Sequence, residues 1–240
     1  MKHKVNKILI ILLALAIAVS TSSCVVTENL GFKSTGYNTS SFNFTVEDFF
    51  IAVLEDFSEF MPEDEDTSIM EASIQDFEKA LKSSPTTNSV YFKKLNDNAY
   101  DGVFNFTDIQ RLFSDLGAGN NQNLLTVKNN TLTFTLSMDN YDQLVPVIPF
   151  LADENFEAFG PVYNQGLSEA DYLEMISFML GEEGPPAIKK STITLRIATP
   201  TAITNFTGGK KINDNLYEFS FPLIDFLLLA DPITFSVSWK

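Results

Sequence analysis

Along most of this chain the apolar positions fall into two periods, and the switches between them mark out the elements. Over residues 29–45 (NLGFKSTGYNTSSFNFT) aromatic and β-branched residues are broken by Gly31 and Gly36 and end in the alternation of Phe42 and Phe44. This pattern predicts two strands joined near Gly36, the second with one buried face. At Thr45 the period changes. Phe49, Phe50, Val53, Leu54, Phe57, Phe60 and Met61 recur at helical spacing, with Glu47, Asp48, Glu55 and Glu59 left for the remaining surface. An amphipathic helix capped by Thr45 is expected there. The acidic loop Pro62-Glu63-Asp64-Glu65-Asp66 ends it, and Thr67 or Ser68 caps a second helix running towards Lys82.

Further on, residues 89–95 and 100–106 read as strands of one hairpin. Residues 124–127 and 132–136 form another around Asn129-Asn130, because asparagine tolerates the positive φ that such a turn demands. Pro146 and Pro149 break the apolar stretch from Tyr141 to Leu151. Ser168 starts a short helix that Gly181 stops, and Gly184-Pro185-Pro186 reads as a rigid break. After it, residues 191–198, 202–206, 216–221 and 233–239 alternate as strands of a sheet with one face on a core. Between the last two, Leu223-Ile224-Asp225-Phe226-Leu227-Leu228-Leu229, bracketed by Pro222 and Pro232, fits a short helix or a loop laid over that sheet.

The expected fold is therefore α+β: antiparallel hairpins covered by amphipathic helices, with a C-terminal part that is mostly β. It divides into an α+β region over residues 24–184 and a β-rich region over 185–240 packed against it. One junction recurs. Phe42-Asn43-Phe44-Thr45 and Phe104-Asn105-Phe106-Thr107 each lead from strand to helix, the second with Gln110 at capping-box spacing, and weaker copies follow at Thr133 and Phe219. Alternating aromatics and a capping hydroxyl are what such a junction requires, so this is read as shared physics rather than as a duplication.

The first residues follow a different logic. Lys2, Lys4 and Lys7 precede the unbroken apolar run Ile8 to Val19, which falls short of the roughly 20 residues that a membrane-spanning helix needs. Residues 1–23 read as a secretory signal that is removed. Ser20-Thr21-Ser22-Ser23-Cys24 then resembles the lipobox of bacterial lipoproteins, in the relaxed form of spirochaetes, since Thr21 stands where an aliphatic residue is usual. The resemblance implies that the Cys24 thiol carries a diacylglyceryl group, that cleavage occurs before it, and that the new amino terminus is acylated, palmitate being the expected label. Multiple acyl chains give stable anchoring where one does not. Cleavage after Ser22, leaving Cys24 as a free thiol, is the alternative. Val25 in place of an aspartate allows an outer-membrane destination as well as the outer face of the cytoplasmic membrane.

Charge and chemistry narrow the role. The chain has 16 basic and 31 acidic residues and a net charge of −15, which becomes −18 once the three signal lysines are gone. Such a surface repels nucleic acid and anionic headgroups. The sole histidine, His3, leaves with the signal, and the sole cysteine is the acylated Cys24. Triads built on histidine and zinc sites built on nitrogen and sulfur are thereby excluded from the mature chain. No catalytic residue, metal or cofactor is expected. Gly208-Gly209-Lys210-Lys211 reads as a turn rather than a phosphate loop, and residues 97–102 as a hairpin turn rather than a calcium loop. A hydrolase using carboxylates alone is the enzymatic alternative.

Thr199-Pro200, Ile203-Thr204-Asn205, Gly208-Gly209, an alternating strand and the terminal Val237-Ser238-Trp239 resemble the β-rich end of LppM-like bacterial lipoproteins. That resemblance implies an envelope protein that works by binding. The expected function is a non-enzymatic, membrane-anchored envelope lipoprotein that binds a protein partner or a hydrophobic, lipid-like molecule. A structural or surface interaction protein without a cavity is the alternative. Phe49, Phe50, Phe57 and Phe60, with Leu223, Phe226 and Leu227, are the candidate ligand or partner surface, and core packing is the other reading of both stretches.

Overall fold

The computed structural model describes residues 25–51, 69–152 and 154–240. In chain order the strands are β1 (Val25–Gly31), β2 (Asn38–Thr45), β3 (Thr87–Asn96), β4 (Ala99–Phe106), β5 (Leu125–Lys128), β6 (Thr131–Leu136), β7 (Thr192–Ala198), β8 (Ile203–Thr207), β9 (Lys210–Asn213), β10 (Leu216–Pro222) and β11 (Ile233–Trp239). The helices are α1 (Ile69–Ser83), α2 (Ile109–Phe113), α3 (Tyr141–Leu144), α4 (Glu154–Glu157), α5 (Glu169–Leu180), α6 (Gly184–Lys190) and α7 (Leu223–Leu228). Seven strands form one sheet in the order β3-β4-β2-β1-β7-β10-β9, and four form a second in the order β5-β6-β11-β8. The α+β class with a mostly β C-terminal part is thus the observed one.

Local chemistry accounts for most of these elements. Gly36 closes the β1–β2 hairpin at φ +84°, and Asn129 and Asn130 close β5–β6 at φ +52° and +54°, the conformation that matches the twist of the flanking strands. Ser168 caps α5 by accepting from the backbone of Asp171 at 3.2 Å. Two expectations are corrected. Gly184-Pro185-Pro186 is not a break but the first turn of α6, where proline lacks nothing because the N–H it removes would be unsatisfied. At the second strand-to-helix junction the cap is Asp108, whose carboxylate accepts from Arg111 at 3.0 Å. Thr107 is already held by the residue that leads into β3, its backbone and hydroxyl both donating to the Thr86 carbonyl, and the Gln110 side chain accepts from Val127 instead.

Non-local pairing builds the rest. The central strand β1 pairs antiparallel with β2 and parallel with β7, more than 160 positions later in the chain, so the region after residue 185 shares a sheet with the first strand. Alternation then sorts the seven-stranded sheet into a polar and an apolar face. On the polar face, Asn43 donates to Asp101 at 2.6 Å, Thr39 donates to Asn105 at 3.2 Å, and Glu218 lies between Arg196 and Lys210 at 2.8 and 2.9 Å. The apolar face packs on the second sheet through Phe235, whose ring centre is 4.9 Å from Phe219 and 5.5 Å from Tyr217. Phe32 stacks on Trp239 at 5.7 Å and closes that end of the core.

A second, smaller core lies among the helices. Tyr172, Leu173, Ile176 and Leu180 of α5 meet Ile188 of α6 and Ile224 and Leu228 of α7. Tyr172 is fully buried and its hydroxyl donates to the Phe159 carbonyl at 3.0 Å. No helix among the described residues is long and apolar enough to cross a membrane.

Candidate functional site

The inner face of the larger sheet carries a carboxylic acid, Glu28, in an apolar setting. Reading across β3, β4, β2, β1, β7 and β10, the middle row is Phe92, Gly102, Phe42, Glu28, Leu195 and Phe219. A single carboxylic acid therefore stands in a row of aromatic and aliphatic side chains. The rows on either side are apolar too. Val26, Phe44 and Ile193 flank it towards the start of β1, and Leu30 and Ile197 towards the end, with Ser40, Tyr100 and, on the edge strand, Lys94 the polar exceptions.

The cover over this face is uneven. Helix α1 presses Phe77 onto Phe42 and Phe92, at ring distances of 6.3 and 5.6 Å, and Phe42 meets Phe92 edge-on at 4.9 Å. Beneath the second sheet Leu30 and Ile197 are buried. Between these covers Val26, Glu28, Ile193 and Leu195 are only half-buried. The Glu28 carboxyl lies within that half-buried stretch, beside the buried Ser40.

Glu28 has one hydrogen-bond partner among the described residues: the buried Ser40 hydroxyl donates to its Oε1 at 2.6 Å. Burial pushes its carboxyl up to about 8, with the Ser40 bond pulling the other way, because taking a carboxylate out of water disfavours its charged form. The contrast with Glu218 is instructive. That acid lies on the polar face of the same sheet, and the hydrogen bonds from Arg196 and Lys210 hold it below the usual range. No described cation pairs with Glu28. A second polar group on this face is Tyr100, buried on β4 in the row of Val26, whose hydroxyl has no hydrogen-bond partner among the described residues.

The residues singled out from the sequence fall in three places. Cys24, Phe57 and Phe60 lie outside the described residues. Phe49 and Phe50 sit in a helical turn at residues 48–51 and pack half-buried on the smaller core, Phe50 facing Phe156 and Phe159 at 5.9 and 6.3 Å. Helix α7 then splits its own candidates. Leu227 joins Phe49 and Phe50 on the smaller core, Phe226 turns to the larger one and meets Tyr141 at 6.2 Å, and Leu223 is half-buried at the helix start. So α7 bridges the two cores. Its Asp225 carboxyl is raised by burial and by the charges of Glu169 and Asp231.

Glu28 is the residue that the sequence patterns missed. The sequence pattern predicts a strand only from Asn29, because in Val26-Thr27-Glu28-Asn29-Leu30 the acid at Glu28 interrupts the apolar positions Val26 and Leu30. The signal that was present is Glu28 sharing the period-2 face of Val26 and Leu30. Among the described residues no group of His, Cys, Asp and Glu is arranged to hold a metal ion.

No protein-family model matches the chain, and no curated protein does. Among solved structures it is similar to the folded domain of the LppM protein of Mycobacterium tuberculosis, determined by NMR, with a TM-score of 0.40 and 9% sequence identity over 91% of this chain and 90% of that one.

Proposed function

We propose that this chain is a lipid-anchored protein of the bacterial cell envelope that works by holding a hydrophobic molecule against the inner face of its larger sheet. The observation that carries the reading is the half-covered row of Val26, Glu28, Ile193 and Leu195, flanked by Phe42 and Phe219. Apolar surface left open in the middle of a protein is costly, at roughly 25 cal/mol per Å², and a ligand of the same character removes that cost. Such sites are mostly apolar with few polar groups.

A lipid on Cys24 would be attached next to the start of β1. Val25, the first residue of β1, follows Cys24 directly, and of the half-covered positions Val26 and Ile193 lie towards that end of their strands while Glu28 and Leu195 lie at the middle. An acylated Cys24 would hold this end beside the bilayer, from which a hydrophobic molecule has a short route. A binding role is also favoured over hydrolysis. Glycoside hydrolysis by carboxylates takes two of them some 5–10 Å apart, and Glu28 is the single acid on the inner face of this sheet's paired strands.

Native mass spectrometry of residues 25–240, purified without detergent from a bacterial host, tests the reading. Added mass in the range of a lipid is expected, and lost on replacing Leu195 with a bulkier tryptophan that fills the row. A bare chain that also fails to take up added single-chain amphiphiles would remove the ligand from the proposal.

A further inference from the structure

We propose that the helices at the Cys24 end of the larger sheet form a membrane-seating surface, which lays Phe178 and Tyr163 into the headgroup region of a zwitterionic bilayer. The proposal rests on the lipid anchor read for Cys24 above and adds how the folded body lies on the membrane.

The tether has no length. Val25 follows Cys24 directly and is already paired on both sides, with Thr45 of β2 and Thr192 of β7. Consecutive Cα atoms are about 3.8 Å apart, so a lipid on Cys24 leaves the sheet no slack. Whatever lies at this end of the sheet is then held against the bilayer.

Helices lie there. Helix α6 runs into the start of β7, α7 leaves the end of β10, and the turn at residues 48–51 follows β2, all at the end of the sheet that carries Val25. The backbone N–H of Leu223 donates to the Ser191 carbonyl at 2.9 Å and ties α7 to the end of α6. Lys189 in the last turn of α6 reaches Glu169 at 3.7 Å, which brings the start of α5 to the same place.

These helices also carry the apolar surface that the fold leaves open. Most apolar side chains of α5 turn into the smaller core, but Phe178 is 81% exposed, and Tyr163 in the loop before α5 is 66% exposed. They are the two most exposed large hydrophobic side chains among the described residues. One such side chain on a surface is ordinary. Two of them, on the helices that a lipid at Cys24 would hold against a bilayer, fit the zone where aromatic rings are favoured, each ring in apolar surroundings and the tyrosine hydroxyl in water.

Charge selects the headgroup. Glu169, Asp171 and Glu174 lie on α5, and Glu182 and Glu183 follow it. In a chain of net charge −15 these acids repel anionic lipid. A zwitterionic headgroup carries no net charge, so apolar contact is left to hold the surface down.

Fluorescence separates this seating from the anchor beneath it. The full chain, acylated in a bacterial host, is reconstituted into vesicles of phosphatidylcholine brominated along its acyl chains. The one native tryptophan is removed by Trp239→Phe, and a probe is introduced by Phe178→Trp, by Tyr163→Trp or, as a control in the β1–β2 hairpin at the far end of β1, by Tyr37→Trp. Emission from the first two variants should shift to the blue and be quenched by the brominated lipid, and emission from the third should do neither. Replacing part of the phosphatidylcholine with phosphatidylglycerol should reduce the quenching. Vesicles that carry the chain on flotation but quench neither Phe178→Trp nor Tyr163→Trp, or quench all three variants equally, overturn the seating and leave the anchor standing. Stronger quenching with phosphatidylglycerol overturns the choice of headgroup. A chain that does not float with the vesicles overturns the anchor itself.

Discussion

The ring of Phe42 on β2 occupies the space that a side chain on Gly102 of β4 would need: a Cβ built at Gly102 lies 2.1 Å from Cε1 of Phe42. The two residues are register partners. The absence of one side chain lets the other lie flat over the neighbouring strand, where Phe77 and Phe92 hold it. Phe42 thereby forms the wall of the row that contains Glu28.

Gly102→Ala should therefore destabilise the fold, although alanine is ordinarily tolerated in a strand better than glycine. Forcing an extra methyl into a filled site costs about 1–3 kcal/mol, read as a lowered urea midpoint with an unchanged slope. Combining it with Phe42→Leu should recover part of the loss, because the substitutions share one space. Simple additivity would mean that the ring and the glycine are not coupled.

Glu28→Gln should change how stability depends on pH. The Glu28 carboxyl titrates at about 8 when folded, against 4.5 for an ordinary glutamate. Between these values the folded chain holds a proton that the unfolded chain has lost, so this group's contribution is full below about 4.5 and falls as pH rises towards 8, by up to about 1.4 kcal/mol per pH unit. Glutamine has no such titration. Melting curves from pH 5 to 9 should show the variant gaining on the parent as pH rises, at about 2–4 °C per kcal/mol for a chain of this size. Parallel curves would place Glu28 in ordinary solvent contact.

Asp108→Ala should uncap α2 and cost about 1 kcal/mol, the usual loss for an N-cap. Thr107→Val, which keeps the backbone bond to Thr86 and removes only the 3.3 Å hydroxyl bond, should cost less. Chemical denaturation of the two variants side by side checks the order, and a larger loss at Thr107 would return the cap to the threonine.

Cys24→Ala should abolish labelling by radioactive palmitate and release the protein from membranes. The substitution leaves β1, which begins at Val25, intact. Continued labelling and membrane association in that variant would remove the lipid anchor from the proposed function.

What the sequence determined by itself was everything that depends on neighbours within a few positions. The strands ending in Phe42 and Phe44, the Asn129-Asn130 turn and the Ser168 cap are each set by side-chain period or by backbone chemistry within four residues, and they are found where those rules place them. The tertiary structure decided what depends on distant partners. Thr107 yields the cap to Asp108 because Thr86, at the entry to β3, already holds it. The split of Phe226 from Phe49, Phe50 and Leu227 follows from two cores meeting at α7. Above all, Glu28 is an ordinary acid in Val25–Gly31 until β7 pairs alongside and Ser40 turns inward. Burial, and with it the raised carboxyl, is a property of the assembled sheet; the period-2 face shared with Val26 and Leu30 marks only the side of the strand on which Glu28 lies.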